Sequence, residues 1–275
     1  MTVDPRYVAA RRVLLDALDA LADQNEAVIV AGGQAVYLRT GDIIPGVAPY
    51  TTDGDLALDL ARLADAPLLD VMMRDLFTLD TSHDGSVKPG IWIQTIDVEG
   101  VGIDISVDLI VPEAIAPPGG RRAARLGPHG DRTARRAVGL EAALVGHDRM
   151  PIEALDPNDP RVIHCNVAGP TALLVAKAHK IADRLDDADR LVDKDAADVY
   201  RLMQATSVGL VNEVLGGLLH DARAGQATRD GVQHLRRLFG ARRAPGVEMA
   251  IRSFGPALPA DRVRVICTSF IEQLR

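Results

Sequence analysis

Aromatic residues are scarce: one Trp, four Tyr and four Phe make up 3% of the 275 residues, so any core must be built mainly from Ala, Val, Leu and Ile. Cysteine is nearly absent. Cys165 and Cys267 stand far apart without metal-ligand spacing, which excludes a disulfide framework and a thiolate metal site and fits buried, reduced thiols. No apolar run approaches the roughly 18 residues of a membrane-crossing helix. The N-terminus has neither the basic opening nor the apolar core of a signal peptide. A cytoplasmic protein without a membrane partner is expected. There is no excess of basic charge either, because the net charge is −7. That balance argues against a dedicated nucleic-acid-binding protein, whose footprint is globally basic, although a local basic surface is compatible with it. Repeats and low-complexity tracts are missing as well.

What is present is globular in character. Apolar content of 47% with 25% charged residues matches a soluble folded chain, and the length suits one large domain or two ordinary ones. The most informative stretch runs from Val28 to Leu58. Val28 to Val30 reads as a buried strand that breaks at Gly32-Gly33 into a short helix through Ala35, Val36 and Leu38. Without Cβ atoms at the glycines a backbone can approach a phosphate, and the free N–H groups of a first helical turn point at it. Asp53-Gly54-Asp55 then opens a second apolar strand. Carboxylates two positions apart on a strand share a face, and paired acids are what a hard divalent cation takes as ligands. Each part alone is also compatible with a bland origin, a tight turn for the glycines and a solvated turn for the acids. Their order within one strand–helix–strand unit favours the functional reading.

Pro5 to Asp23 has a helical apolar stripe, and a short helix is expected over 66–74 with a strand at Phe77 to Leu79. From Gly90 the period changes to two. IWIQTIDV, the turn Glu99-Gly100 and VGIDISVDLIV read as an antiparallel hairpin. In its second arm Asp104, Ser106 and Asp108 share one face, ordinarily the solvated side of a half-buried sheet. In the functional reading Asp108, rather than Asp104, completes a metal site begun by Asp53 and Asp55, because it lies deeper in the apolar run. Six arginines follow at Arg121, Arg122, Arg125, Arg132, Arg135 and Arg136. They form either a solvated surface segment or a basic flap over triphosphate or RNA backbone. No aromatics interleave, so base stacking is not indicated.

Val162 to Val167 makes one more strand, and Pro170 starts a helix that carries Lys177 and Lys180. A second helix follows with Asp195 and Asp198 on one side. Lys177 with Asp195 reads either as a structural ion pair between adjoining helices or as a cation on nucleotide phosphates beside an acid at the mouth of a cleft. The stretch from Gly209 to the C-terminus is helical by periodicity and holds no interpretable motif.

Gly32-Gly33-Gln34-Ala35 together with Thr52-Asp53-Gly54-Asp55-Leu56 resembles the signature of the DNA polymerase β-like nucleotidyltransferase superfamily. LLVAKAHKIADR followed by VDKDAADVYRLM resembles the later motifs of its AbiEii-type branch, the toxins of type IV toxin–antitoxin systems. The resemblance implies an α/β (α+β) fold, a mixed sheet with helices over residues 1–165, followed by a helical C-terminal domain over 166–275. It implies a Mg²⁺-dependent enzyme that moves a nucleoside monophosphate from a nucleoside triphosphate to an acceptor. Asp53, Asp55 and Asp108 would be the catalytic and metal-holding carboxylates, with Gly32, Gly33, Lys177 and Asp195 on the nucleotide. RNA, tRNA above all, is the acceptor the resemblance favours, with an antitoxin protein as a further partner. A small-molecule acceptor of the antibiotic type, or a non-catalytic nucleotide-binding or regulatory module of the same fold, stands as the alternative. Two departures from the family pattern are visible. The interval from Gly33 to Asp53 is long, and Gly33 stands where serine is more frequent.

Overall fold

The computed structural model describes residues 3–118, 122–187 and 189–275. By internal contacts the chain resolves into two compact units. One comprises Met1–Ala35, Pro49–Ala137 and His147–Ala168, and the other Val36–Ala48, Val138–Gly146 and Gly169–Arg275. The later break therefore falls at the end of a strand, three residues past the expected 165/166 boundary. The second unit also takes two short segments from earlier in the chain.

The first unit begins with helix α1 (Pro5–Ala20), capped by the Asp4 carboxylate accepting from the Arg6 amide and started by proline at its first turn. β1 (Val28–Ala31) is wholly buried and leads into α2 (Gly32–Thr40). β2 (Asp53–Leu58), α3 (Leu69–Arg74), β3 (Thr78–Thr81), β4 (Val87–Val98) and β5 (Val101–Pro112) follow. β6 (Ala123–Ala124), β7 (Ala134–Ala137), β8 (His147–Glu153) and β9 (Val162–Ala168) complete the strands. Among the described residues these make one mixed sheet in the order β3-β4-β5-β2-β1-β9-β8, with β6 and β7 attached beside β5. β2 runs parallel to β5 and antiparallel to β1, while β9 runs parallel to β1. The β4–β5 hairpin turns on Glu99 and Gly100, both at positive φ, the geometry that suits a two-residue hairpin loop.

α1 packs on one face of this sheet. A Cβ at Gly54 would lie 3.3 Å from Leu14 Cδ1 and 3.6 Å from Val107 Cγ2, so Gly54 and Val107 face α1. By alternation Asp53, Asp55 and Asp108 face the other way.

The six-arginine segment is more ordered than its sequence suggests. Arg121 lies outside the described residues, but Ala123–Ala124 pairs with Ala134–Ala137 as a small hairpin. β7 then runs parallel to β5, with Ile110 opposite Arg135. β4 occupies that side of β5 up to Ile91, opposite Asp108. Gly90, at φ +74, is where β4 gives way to β7, and a Cβ there would overlap the Arg135 amide and the Leu109 carbonyl.

The second unit is helical: α4 (Pro170–Arg184), α5 (Asp193–Ala205), α6 (Val208–His220), α7 (Gly225–Phe239), α8 (Pro245–Phe254) and α9 (Ala260–Gln273). No single helix among the described residues is long and apolar enough to cross a membrane. Cys165 and Cys267 are buried and free, and burial pushes both thiols up to about 12, which leaves no thiolate for chemistry.

Gly90→Ala is expected to cost roughly 3 kcal/mol or more, because backbone rather than a flexible side chain blocks the methyl group. Gly85→Ala, also at positive φ but with nothing within 4 Å, is expected to cost about 1 kcal/mol. Denaturant unfolding of both variants checks the difference. Equal losses would contradict the close approach of β7 to Gly90.

Candidate active site

The acidic face is built by strand register. Asp55 is the partner of Asp108 across the parallel β2–β5 pair, and Asp53 is the partner of Ser106. Register partners in a parallel pair lie on the same face, so all three carboxylates share one side of the sheet. Asp104 does not join them. It sits opposite Thr95 further along the hairpin and accepts that residue's hydroxyl at 2.6 Å. The Thr51 hydroxyl donates to Asp53 Oδ1.

The glycines meet this acidic face directly. On the other side of β2, Ala31 is the register partner of Asp55, so Gly32 begins where the Asp55 side chain rises. A Cβ on Gly32 would fall on the Asp55 carboxylate, within 2.7 Å of its Cγ, and Gly32 adopts φ +61. Only glycine suits that conformation and that proximity. Gln34, the next residue but one, is fully buried. Its Oε1 accepts from Arg11 Nε at 2.9 Å, while its Nε2 has no partner.

Arg135 holds the carboxylates together. Its Nε and Nη2 both reach Asp108 Oδ2, at 3.0 and 2.8 Å, and Nη2 stands 3.8 Å from Asp55 Oδ1. The side chains of Asp55 and Asp108 are only 13% and 15% exposed. Burial pushes the Asp108 carboxyl up to about 6. Arg135 pulls it down by less, and the charges of Asp55 and Asp53 push it further up.

In donor chemistry the set suits a hard divalent cation: three carboxylates on one face of neighbouring strands. In spacing it is not closed around one. Among the described residues no group of three or more His, Cys, Asp or Glu side chains stands close enough to share an ion. The guanidinium of Arg135 is the cation that Asp55 and Asp108 share.

Lys177 and Asp195 form a separate cluster in the helical unit. Lys177 Nζ donates to Asp195 Oδ1 at 2.7 Å and to Asp198 Oδ2 at 2.6 Å. Its side chain is 4% exposed, and those of the two acids are 6% and 1%. Burial disfavours the ammonium, but Asp198 and Asp195 outweigh it and hold Lys177 well above its usual range. Burial likewise opposes charge on Asp195, yet Lys177 and Lys180 keep its carboxyl far below normal. Lys177 is thus committed to an internal ion triad and is not an exposed cation at a cleft mouth. Asp198 is the third member. Its three-residue spacing from Asp195 was visible in the sequence.

The arginine segment is divided. Arg135 serves Asp108, and Arg136 forms a fork with Glu113 at 2.6 and 3.0 Å. Arg122, Arg125 and Arg132 are exposed.

No family model matches the chain, and no curated protein matches it. Among solved structures the chain is similar to the antibiotic-resistance factor ANT(2'')-Ia, whose solution structure is described as showing substrate-regulated conformation dynamics. The identity is 14% and the TM-score 0.33, over 97% of this chain and 94% of that one. It is also similar to a candidate nucleotidyltransferase from H. pylori, at 10% identity and a TM-score of 0.34, over 99% of this chain and 97% of that one.

Two outcomes are expected. Because the folded-state pKa of Asp108 is raised, its contribution to stability is present in acid and lost as pH rises through about 6. Measured with chelator present, the stability of Asp108→Asn relative to the native chain should therefore rise by about 1.4 kcal/mol between about pH 5 and about pH 7.5. A pH-independent difference would refute the raised pKa. Lys177→Met is expected to cost roughly 3 kcal/mol in urea unfolding, since it removes the shared buried partner of two carboxylates and leaves each only a longer contact, Asp195 to Lys180 and Asp198 to Lys194. A variant that kept its stability and lost only nucleotide affinity would restore the direct-contact reading.

Proposed function

We propose that the chain is a divalent-metal-dependent nucleotidyltransferase, moving a nucleoside monophosphate from a nucleoside triphosphate to an acceptor and releasing pyrophosphate. The observation that carries this reading is that Asp53, Asp55 and Asp108 share one sheet face, with Asp55 seated on left-handed Gly32 at the β1–α2 junction. In the transfer, an acceptor hydroxyl oxygen bonds to the α-phosphorus, the bond to the pyrophosphate oxygen breaks and releases pyrophosphate, and the hydroxyl proton passes to solvent. Asp53, Asp55 and Asp108 would hold Mg²⁺, which when bound supplies charge stabilisation on the phosphate oxygens. The backbone at Gly32 and Gly33 would receive the triphosphate. With glycine in place of serine at Gly33, phosphate contacts there fall to N–H groups alone.

The resemblance to the AbiEii-type branch extends the reading to a toxin that modifies RNA, tRNA in particular, and is opposed by an antitoxin protein. A small-molecule acceptor is the alternative within the same chemistry. The engagement of Arg135 and Arg136 with acids of the fold favours it, because it removes two arginines from a basic flap. A non-catalytic nucleotide-binding module is favoured by one observation, the guanidinium of Arg135 on Asp108.

Incubation with each labelled triphosphate and total cellular RNA should transfer label with the native chain in Mg²⁺. Transfer should fall by about a hundredfold or more in Asp55→Ala and cease with chelator. Nucleotide binding by both proteins with transfer by neither, to RNA or to small hydroxylated acceptors, would leave only the non-catalytic reading.

A further inference from the structure

The helical unit carries a basic face that its sequence pattern did not reveal. Between Asp221 and Arg243 there are six arginines, two aspartates and no lysine, in a chain whose net charge is −7. Gln226, Arg229, Gln233, Arg236 and Arg237 are exposed on α7 at positions that share one helical face, and Arg242 and Arg243 are exposed in the turn that follows. The opposite face, with Val232, Leu235, Leu238 and Phe239, is buried. α7 cannot rotate to hide its arginines. A Cβ on Gly231 would meet Val175 at 2.8 Å, and His179 Nε2 is hydrogen-bonded to the Ala227 carbonyl at 2.7 Å.

The charge on this face is largely uncompensated. Arg229 donates to the Leu219 carbonyl and to Gln226 Oε1, and Arg236 to the Leu274 carbonyl, all neutral acceptors that orient the guanidinium without cancelling it. Asp230 accepts from Gln226, Glu248 pairs with Arg264, and Asp261 pairs with Arg242. Among the described residues no carboxylate stands at ion-pair distance from Arg229, Arg236, Arg237 or Arg243.

We propose that this arginine face, from Arg229 to Arg243, docks the phosphodiester backbone of a nucleic acid. Guanidinium forks match phosphate oxygens in pairs, and a fixed helix presents them already ordered. No aromatic side chain is exposed in the stretch, so the contacts are to backbone and not to stacked bases. No large apolar residue is exposed there either, so the face offers no side chain for insertion into a membrane. The surface goes beyond nucleotidyl transfer and does not rest on it. Binding needs neither nucleotide nor metal.

The test is fluorescence anisotropy in chelator, with a labelled RNA hairpin, a single-stranded RNA and a DNA duplex as separate arms. The native chain is compared with R229Q/R236Q/R237Q/R243Q, and melting curves confirm that the variant is folded. Native binding should weaken by on the order of a hundredfold between about 50 and about 200 mM salt. The folded variant should bind more weakly, with a log–log salt slope shallower by about three. The RNA and DNA arms identify which nucleic acid the face takes. Unchanged affinity and slope in the folded variant, or no native binding in any arm, would overturn the proposal. Capture of polyglutamate or of phosphatidylserine vesicles in preference to nucleic acid would also overturn it.

Discussion

Asp55 and Asp108 lie side by side because β2 and β5 pair in parallel at that register, and the nucleotidyl-transfer reading follows from this adjacency. Two carboxylates that are mostly buried and share a face repel each other, and burial with that repulsion pushes the Asp108 carboxyl up. A cation beside them relieves the repulsion. Here it is Arg135, delivered by a strand that replaces β4 along β5. The same electrostatic demand is what makes the face a candidate for a divalent ion. The protein's own guanidinium and a metal compete for one pair of acids, so the position of β7, fixed by Gly90, bears directly on what the acids can do.

The helical unit solves a similar problem differently. Lys177 between Asp195 and Asp198 is a closed internal triad, with Lys180 and Lys194 at 3.3 and 3.4 Å from its acids. A buried triad of this kind adds little net stability against an apolar core, but breaking it is expensive. Its effect is to fix how α4 and α5 meet. The arginines of α7 contrast with it. They are exposed, unpaired with carboxylates and held on a helix that cannot turn.

Much of the sheet was legible in the sequence because its signals are local. The period-two run from Gly90, the turn at Glu99-Gly100 and the apolar Val28 to Val30 predict strands that the structure contains. Proline at the start of α4 and the apolar stripes after Gly209 likewise give helices. The position of Asp108 was also readable, since its depth in an apolar strand is a sequence property. Its partner Arg135 was not, because that contact depends on which strand lies beside β5, a long-range fact. β6 and β7 carry alanine and arginine without apolar alternation, and β8 is a polar strand at the sheet edge that contains Pro151, so neither announces itself by period. For Lys177 the sequence left two options open, and the structure has the ion pair with one acid more than expected. The face on α7 was not legible locally, because which side of the helix stays exposed depends on what packs against the other.

On the reading proposed above, Asp53, Asp55 and Asp108 would together hold a divalent ion with a nucleoside triphosphate. The most direct test of that reading is titration of Mn²⁺ followed by electron paramagnetic resonance, with a non-hydrolysable triphosphate analogue present, for the native chain and for Asp55→Asn. Saturable Mn²⁺ binding by the native chain beyond what the free analogue takes up, lost in the variant, is expected. Uptake that is the same for both proteins, or no greater than for the analogue alone, would contradict it.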